Sequence, residues 1–136
     1  GYDLSTSGTV LLAGQSNNAI NCYVHNVDGG GIVKTTTYQN VIGCKINDCV
    51  YAGITSTGNY GSIVNNLIYN CADGLSDTGI SDTVCYNTFD NCSADAVRIG
   101  TYAAVVNHNV ITNCLVGIVG TVVRLSFVGS NVFWNN

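Results

Sequence analysis

The chain has 136 residues, a formal net charge of −4, 9 % charged residues, 16 Gly, 7 Cys, no Pro and no Met. So acidic and sparsely charged a chain lacks the basic surface that nucleic acid requires, and it has no run of 18 apolar residues to span a bilayer as a helix. The odd Cys count is not that of a disulfide scaffold, and the absence of Pro leaves every ladder N–H available to a strand.

Short apolar stretches stand first at Leu4 and Val10, and from Ala19 onward a unit of about 22 residues repeats. The first full unit predicts a strand at Ala19-Ile20, a second from Cys22 to Val27, and a third at Ile32 behind Gly30-Gly31. The next units repeat this order: Val41-Ile42, Cys44 to Cys49 and Ile54; then Ile63-Val64, Asn66 to Cys71 and Leu75. Val84-Cys85, Asn87 to Cys92 and Val97 follow, then Val106, Asn109 to Cys114 and Ile118, and the chain ends on Asn131 to Asn136. Val27, Cys49, Cys71, Cys92, Cys114 and Asn136 mark the units, with spacings of 22, 22, 21, 22 and 22.

Three residues before each marker stands an apolar residue, Val24, Ile46, Ile68, Phe89, Ile111 or Phe133, and this column is predicted core. Two before it stands a mixed set, His25, Asn47, Tyr69, Asp90, Thr112 and Trp134, suited to solvent. Alternation of this kind has the period of a strand, and Gly, Asn, Asp and Ser at the joints supply the turns. A repeat that climbs one strand spacing of about 4.8 Å per coil is a β-solenoid. The expected fold is therefore all-β: a single domain over 1–136 of about six coils, with no capping helix.

Two stacks follow from the period. Asn26, Asp48, Asn70, Asn91, Asn113 and Asn135 are predicted to form a buried amide ladder along the rod, satisfying groups that would each be costly alone. Cys49, Cys71, Cys92 and Cys114 are predicted to form a line of like residues. Cys recurring at the coil period does not converge tetrahedrally as zinc ligands do, so neither metal nor cofactor is expected. Stacked strands bring Cα atoms within disulfide range, which leaves bridged pairs and buried free thiols both open.

Units of the form V-x-N-N-x-I-x-N-C-x-x-G-I resemble the coils of the right-handed parallel β-helix, the pectin-lyase-like superfamily, over essentially the whole chain. The resemblance implies a right-handed fold with stacked interior residues and Asn ladders at its turns. It implies little about activity, because that scaffold carries polysaccharide lyases and hydrolases, tailspikes, adhesins and structural coils. A lyase of that superfamily is expected to cluster Asp ligands beside a basic residue, and a hydrolase to pair Asp on neighbouring coils. Here Asp73, Asp77, Asp82, Asp90 and Asp95 come nearest, and Asp77 and Asp82, flanking the Gly of DTGISD, read as turn formers. Asp73 falls opposite Tyr51, and Asp95 opposite Val116 or Gly117, so no catalytic residue is assigned and no enzyme is expected. His108 reads as a solvated or ladder histidine, and Asn91-Cys92-Ser93 is a lone sequon within the ladder.

The two ends suggest a function. Bare end rungs recruit other strands, and no amphipathic segment is present to cap them. Asn135-Asn136 followed by Gly1-Tyr2-Asp3-Leu4-Ser5 continues the repeat, with Leu4 where Leu75 falls. In this preferred register the last half coil of one copy is completed by the N-terminus of the next. A second register aligns Val10 with Ile32, puts Ser5 at the marker and Leu4 in the Asn column. The expected interface is Gly1, Tyr2, Asp3, Leu4, Ser5, Asn131, Val132, Phe133, Trp134, Asn135 and Asn136. A heterologous contact that does not close makes a filament, so the expected function is a structural subunit that polymerises head to tail, with itself as partner. The alternative is a carbohydrate-binding or carbohydrate-cleaving β-helix, with a polysaccharide as partner. Its groove would need loops, and the largest insertion candidates are Lys34–Gln39 and Thr9–Ser16. A first residue other than Met and a composition poor in charge suit an extracellular or surface location after removal of a signal.

Overall fold

The computed structural model describes residues 3–5, 9–100, 104–120 and 127–136, with the backbone alone at 3–5 and 127. In chain order the strands are Asp3–Ser5 (β1), Val10–Leu12 (β2), Asn18–Ile20 (β3), Tyr23–Val27 (β4), Ile32–Lys34 (β5), Asn40–Ile42 (β6), Lys45–Cys49 (β7), Ile54–Ser56 (β8), Ser62–Val64 (β9) and Leu67–Cys71 (β10). They continue as Leu75–Asp77 (β11), Thr83–Cys85 (β12), Thr88–Asp90 (β13), Asp95–Ile99 (β14), Val105–Asn107 (β15), Val110–Thr112 (β16), Val116–Gly120 (β17), Phe127–Gly129 (β18) and Val132–Trp134 (β19). Every third strand joins the same parallel sheet. β1-β4-β7-β10-β13-β16-β19 make the first, β2-β5-β8-β11-β14-β17 the second and β3-β6-β9-β12-β15-β18 the third. The chain thus winds as a β-solenoid of three sheets, and no helix occurs among the described residues.

Each coil turns on residues in the left-handed region. The corner after the first sheet carries Asn26, Asp48, Asn70, Asn91, Asn113 and Asn135, at φ of 53, 54, 54, 52, 53 and 55°. Asn and Asp reach that region at low cost because their short polar side chains bond locally, which explains their recurrence at this one joint. Three inward columns fill the rod. Val24, Ile46, Ile68, Phe89 and Ile111 line the first sheet, Ile32, Ile54, Leu75 and Val97 the second, and Ala19, Val41, Ile63, Val84 and Val106 the third, all of them buried.

The register differs from the expectation at the start of the chain. Leu4 pairs with Val24 in the first sheet and Val10 with Ile32 in the second. Leu4 therefore does not occupy the column of Leu75, and Ser5, which pairs with His25, is not at the marker. The Val10 alignment of the second register holds. Gly1 and Tyr2 lie outside the described residues. The wide segment between Gly8 and Ala19 misled the count, because β2 occupies it as a full second-sheet strand.

Candidate functional site

The stacks come first, because they run the length of the rod. The expected Asn ladder exists, but on the surface, since its left-handed corner turns those side chains outward. Asn70 donates to Asp48 Oδ1 at 3.1 Å, Asn91 to Asn70 at 2.8 Å and Asn135 to Asn113 at 2.8 Å. It is broken between Asn91 and Asn113, where Asn113 donates instead to Asp90. The buried ladder is the column two residues before the core residue of each first-sheet strand: Asn66, Asn87 and Asn109, ending on the half-buried Asn131. The Oδ1 of Asn87 accepts both the N–H and the Nδ2–H of Asn66, at 2.9 and 3.0 Å, and Asn109 and Asn131 do the same for the coil before each. Each Nδ2 also donates to a third-sheet carbonyl, as Asn87 does to Ile63 at 2.8 Å, so the amides of Asn66, Asn87 and Asn109 are fully used.

Cys49, Cys71, Cys92 and Cys114 are all buried in one line, with Cys49 and Cys71 paired in register. All seven Cys are free thiols. Hydrogen bonding to the neighbouring thiol, then burial, holds Cys49 and Cys92 well above the ordinary thiol range. They act as small apolar side chains with a weak donor.

A second interior feature was not legible. Along the second sheet the inward column next to the core reads Leu12, Lys34, Ser56, Asp77 and Ile99, polar in its middle and apolar at its ends. Lys34, Asp77 and Asp82 are all completely buried. Lys34 Nζ meets Asp82 Oδ2 at 2.6 Å, Ser56 Oγ at 3.0 Å and the Gly58 carbonyl at 3.2 Å. Ser56 Oγ also donates to Asp82 Oδ2 at 2.7 Å, and Asp82 Oδ1 accepts the Gly61 N–H at 2.7 Å. Gly61 makes the room: a Cβ there would lie 2.6 Å from Lys34 Nζ. Asp77 does close a turn, on the Gly79 N–H at 2.8 Å, but both carboxylates face inward and not to solvent. Lys34–Gln39 is no insertion either, because Gln39 is buried and bonds the backbone of Thr35, Thr36, Leu12 and Gly14.

On the lateral surface, Asp73 and Asp95 lie on neighbouring coils. Asp73 Oδ1 accepts the Asp95 N–H at 3.1 Å, while Arg98, on the outer face of β14, reaches Asp95 at 2.7 Å and Asp73 at 3.6 Å. Counting forward from Cys71 and Cys92 missed this pair. Each Asp stands two residues before a buried second-sheet residue, Leu75 or Val97, and counting back from those columns aligns the two. Asp95 does pair with Val116, as expected. His108 is exposed and stacks on Tyr86, the ring centroids 5.1 Å apart. No group of three or more His, Cys, Asp or Glu among the described residues could hold a metal.

β17, β18 and β19 are the outermost strands of the three sheets at the C-terminal end. Val128, Val132, Phe133 and Trp134 are exposed there, at 43, 57, 50 and 72 %. Phe133 was expected in the core; its ring packs over Gly117 on one side only. Asn136 takes the place of a Cys, its Oδ1 accepting the Cys114 N–H at 2.9 Å.

The family model described as the right handed beta helix region matches residues 8–136. The chain belongs to this right-handed β-helix family. No curated protein matches it, and no solved structure does. Membership gives the hand of the coil and agrees with the three parallel sheets; β-helices include enzymes and non-enzymes alike.

Proposed function

We propose that this β-helix is a structural, extracellular subunit that stacks head to tail on copies of itself. The observation that carries the reading is the rung of β17, β18 and β19, where three sheet edges and four exposed apolar side chains end at one level. Such a rung is a template for strand addition. A copy entering in register lays β2 on β17, β3 on β18 and β4 on β19, so that its β1 gives way to β19 of the first copy. The exchange extends the outer ladder, because β19 is followed by Asn135, which would stand under Asn26 of the entering copy, whereas the segment Gly1 to Gly8 contains no Asn. A further coil of the same polypeptide would make the same pairings.

Negative-stain electron microscopy of the 136-residue chain tests this, beside a Val128→Lys/Phe133→Lys variant and a Leu67→Lys control on the lateral face of the middle coils, where Leu67 is exposed. Unbranched fibres from the natural chain and the control, lost in the double variant, are expected. Discrete particles from all three would sink copy-on-copy stacking.

A second reading, binding or cleavage of a polysaccharide, is favoured by the Asp73–Arg98–Asp95 cluster across two coils. Co-sedimentation with such a polysaccharide, abolished by Arg98→Ala, would support it.

A further inference from the structure

The sealed cluster around Lys34 holds one cation and two carboxyl groups. Lys34 has three N–H donors, and Ser56, Gly58 and Asp82 engage all three, so none remains for Asp77. Asp77 Oδ1 has the Gly79 N–H, but Oδ2 is buried and has no hydrogen-bond partner. The groups that face Asp77 are Lys34 from β5, Ser56 from β8 and Asp82 from the turn before β12. On the remaining side β14 presents Ile99 in register, followed by Gly100, neither of them ionisable. A second negative charge in this interior would have neither solvent nor a dedicated partner.

We propose that Asp77 carries a proton in the folded rod and that this proton is a lock on the central coils, released as the pH rises through neutrality. Burial first, then the negative charge of Asp82, pushes the Asp77 carboxyl up to about 7, against the pull of Gly79, Lys34 and Ser56. The folded value lies above that of the unfolded chain, about 3.9. The stabilisation is therefore complete below about pH 4, declines as the pH rises to about 7 and is absent above it. Over that interval the folding equilibrium constant is expected to fall about a thousandfold through this one group. The coils built on β8, β11 and β14 lose protection first, because they surround the charge.

Two measurements on the full chain decide it. The side-chain carboxyl carbon of Asp77, followed by NMR, is expected to titrate with a midpoint near 7; a midpoint below about 5 would overturn the proposal. Thermal unfolding from pH 4.5 to 8.5 is expected to show Asp77→Asn gaining on the natural chain as the pH rises, with the gap level above about pH 7.5. The comparison cancels whatever the other ionisable groups contribute, since they are common to both proteins. Parallel curves would also overturn the lock. Should Asp77→Asn fail to fold, the NMR midpoint decides alone.

Discussion

Asn forms two long columns in this chain, and the two obey different physics. In the inner column, Asn87 receives two bonds from Asn66 and gives one each to Ile63 and Asn109, all in the dry interior. Asn87→Ala strands those partners, and at about 1–3 kcal/mol for each buried group left unmade the variant is expected to lose about 3 kcal/mol or more in a urea titration. In the outer column it is the backbone that matters. Asn91 is exposed at φ 52°, so Asn91→Gly is expected to match the natural chain, while Asn91→Ala falls about 1 kcal/mol below it. Equal losses in the two variants would show that the side-chain bond to Asn70, and not the left-handed corner, governs that site. Both columns are visible in the sequence, but which of them faces inward is not. The choice turns on the direction of one corner residue, which the left-handed φ reverses.

At the scale of the element, the three-residue strands of the inner coils are held because each is paired on both sides and its inward residue is sealed. Gly61, at the turn before β9, illustrates how little room is left. A Cβ there would lie 2.1 Å from the Gln39 carbonyl as well as against the Lys34 ammonium. Gly61→Ala is expected to abolish the cooperative unfolding transition or lower its midpoint sharply, read by circular dichroism. Lys34 in β5 makes a parallel case. Lys34→Met leaves Asp82 buried without its cation, a loss of about 3–5 kcal/mol, and adding Asp82→Leu should recover part of it by removing the stranded carboxylate. A double variant no better than the single one would mean that the ion pair supports the coil in some further way. The strand pattern itself was legible from period-two alternation. The charged column was not, since Lys34, Ser56 and Asp77 sit in the units as isolated exceptions and meet only when the coils stack.

The whole molecule is quasi-one-dimensional, so position along the rod sets the cost of a change. Phe89 is completely buried between Ile68 and Ile111, whereas Phe133, in the equivalent position of the last rung, is half exposed. Phe89→Ala is expected to cost about 3–5 kcal/mol and Phe133→Ala well under half of that in dilute monomer, measured by denaturant unfolding. Under conditions where fibres grow the gap should close, because stacking would bury Phe133 as fully as Phe89. A Phe133 effect independent of protein concentration would count against self-association.

The sequence by itself determined the period, the strand-only architecture, the inward columns and the line of Cys, because each is a local pattern repeated at a fixed step. Tertiary structure decided what depends on the third dimension. It set the register of β1 and β2, where the repeat pattern is weak. It set the pairing of Asp73 with Asp95, hidden by a coil one residue short. It also joined Lys34 to Asp82, 48 positions apart and two coils away. A periodic sequence specifies its nearest neighbours along the stack. A long side chain that passes over a glycine reaches beyond them, and only the folded rod brings its partner within bonding distance.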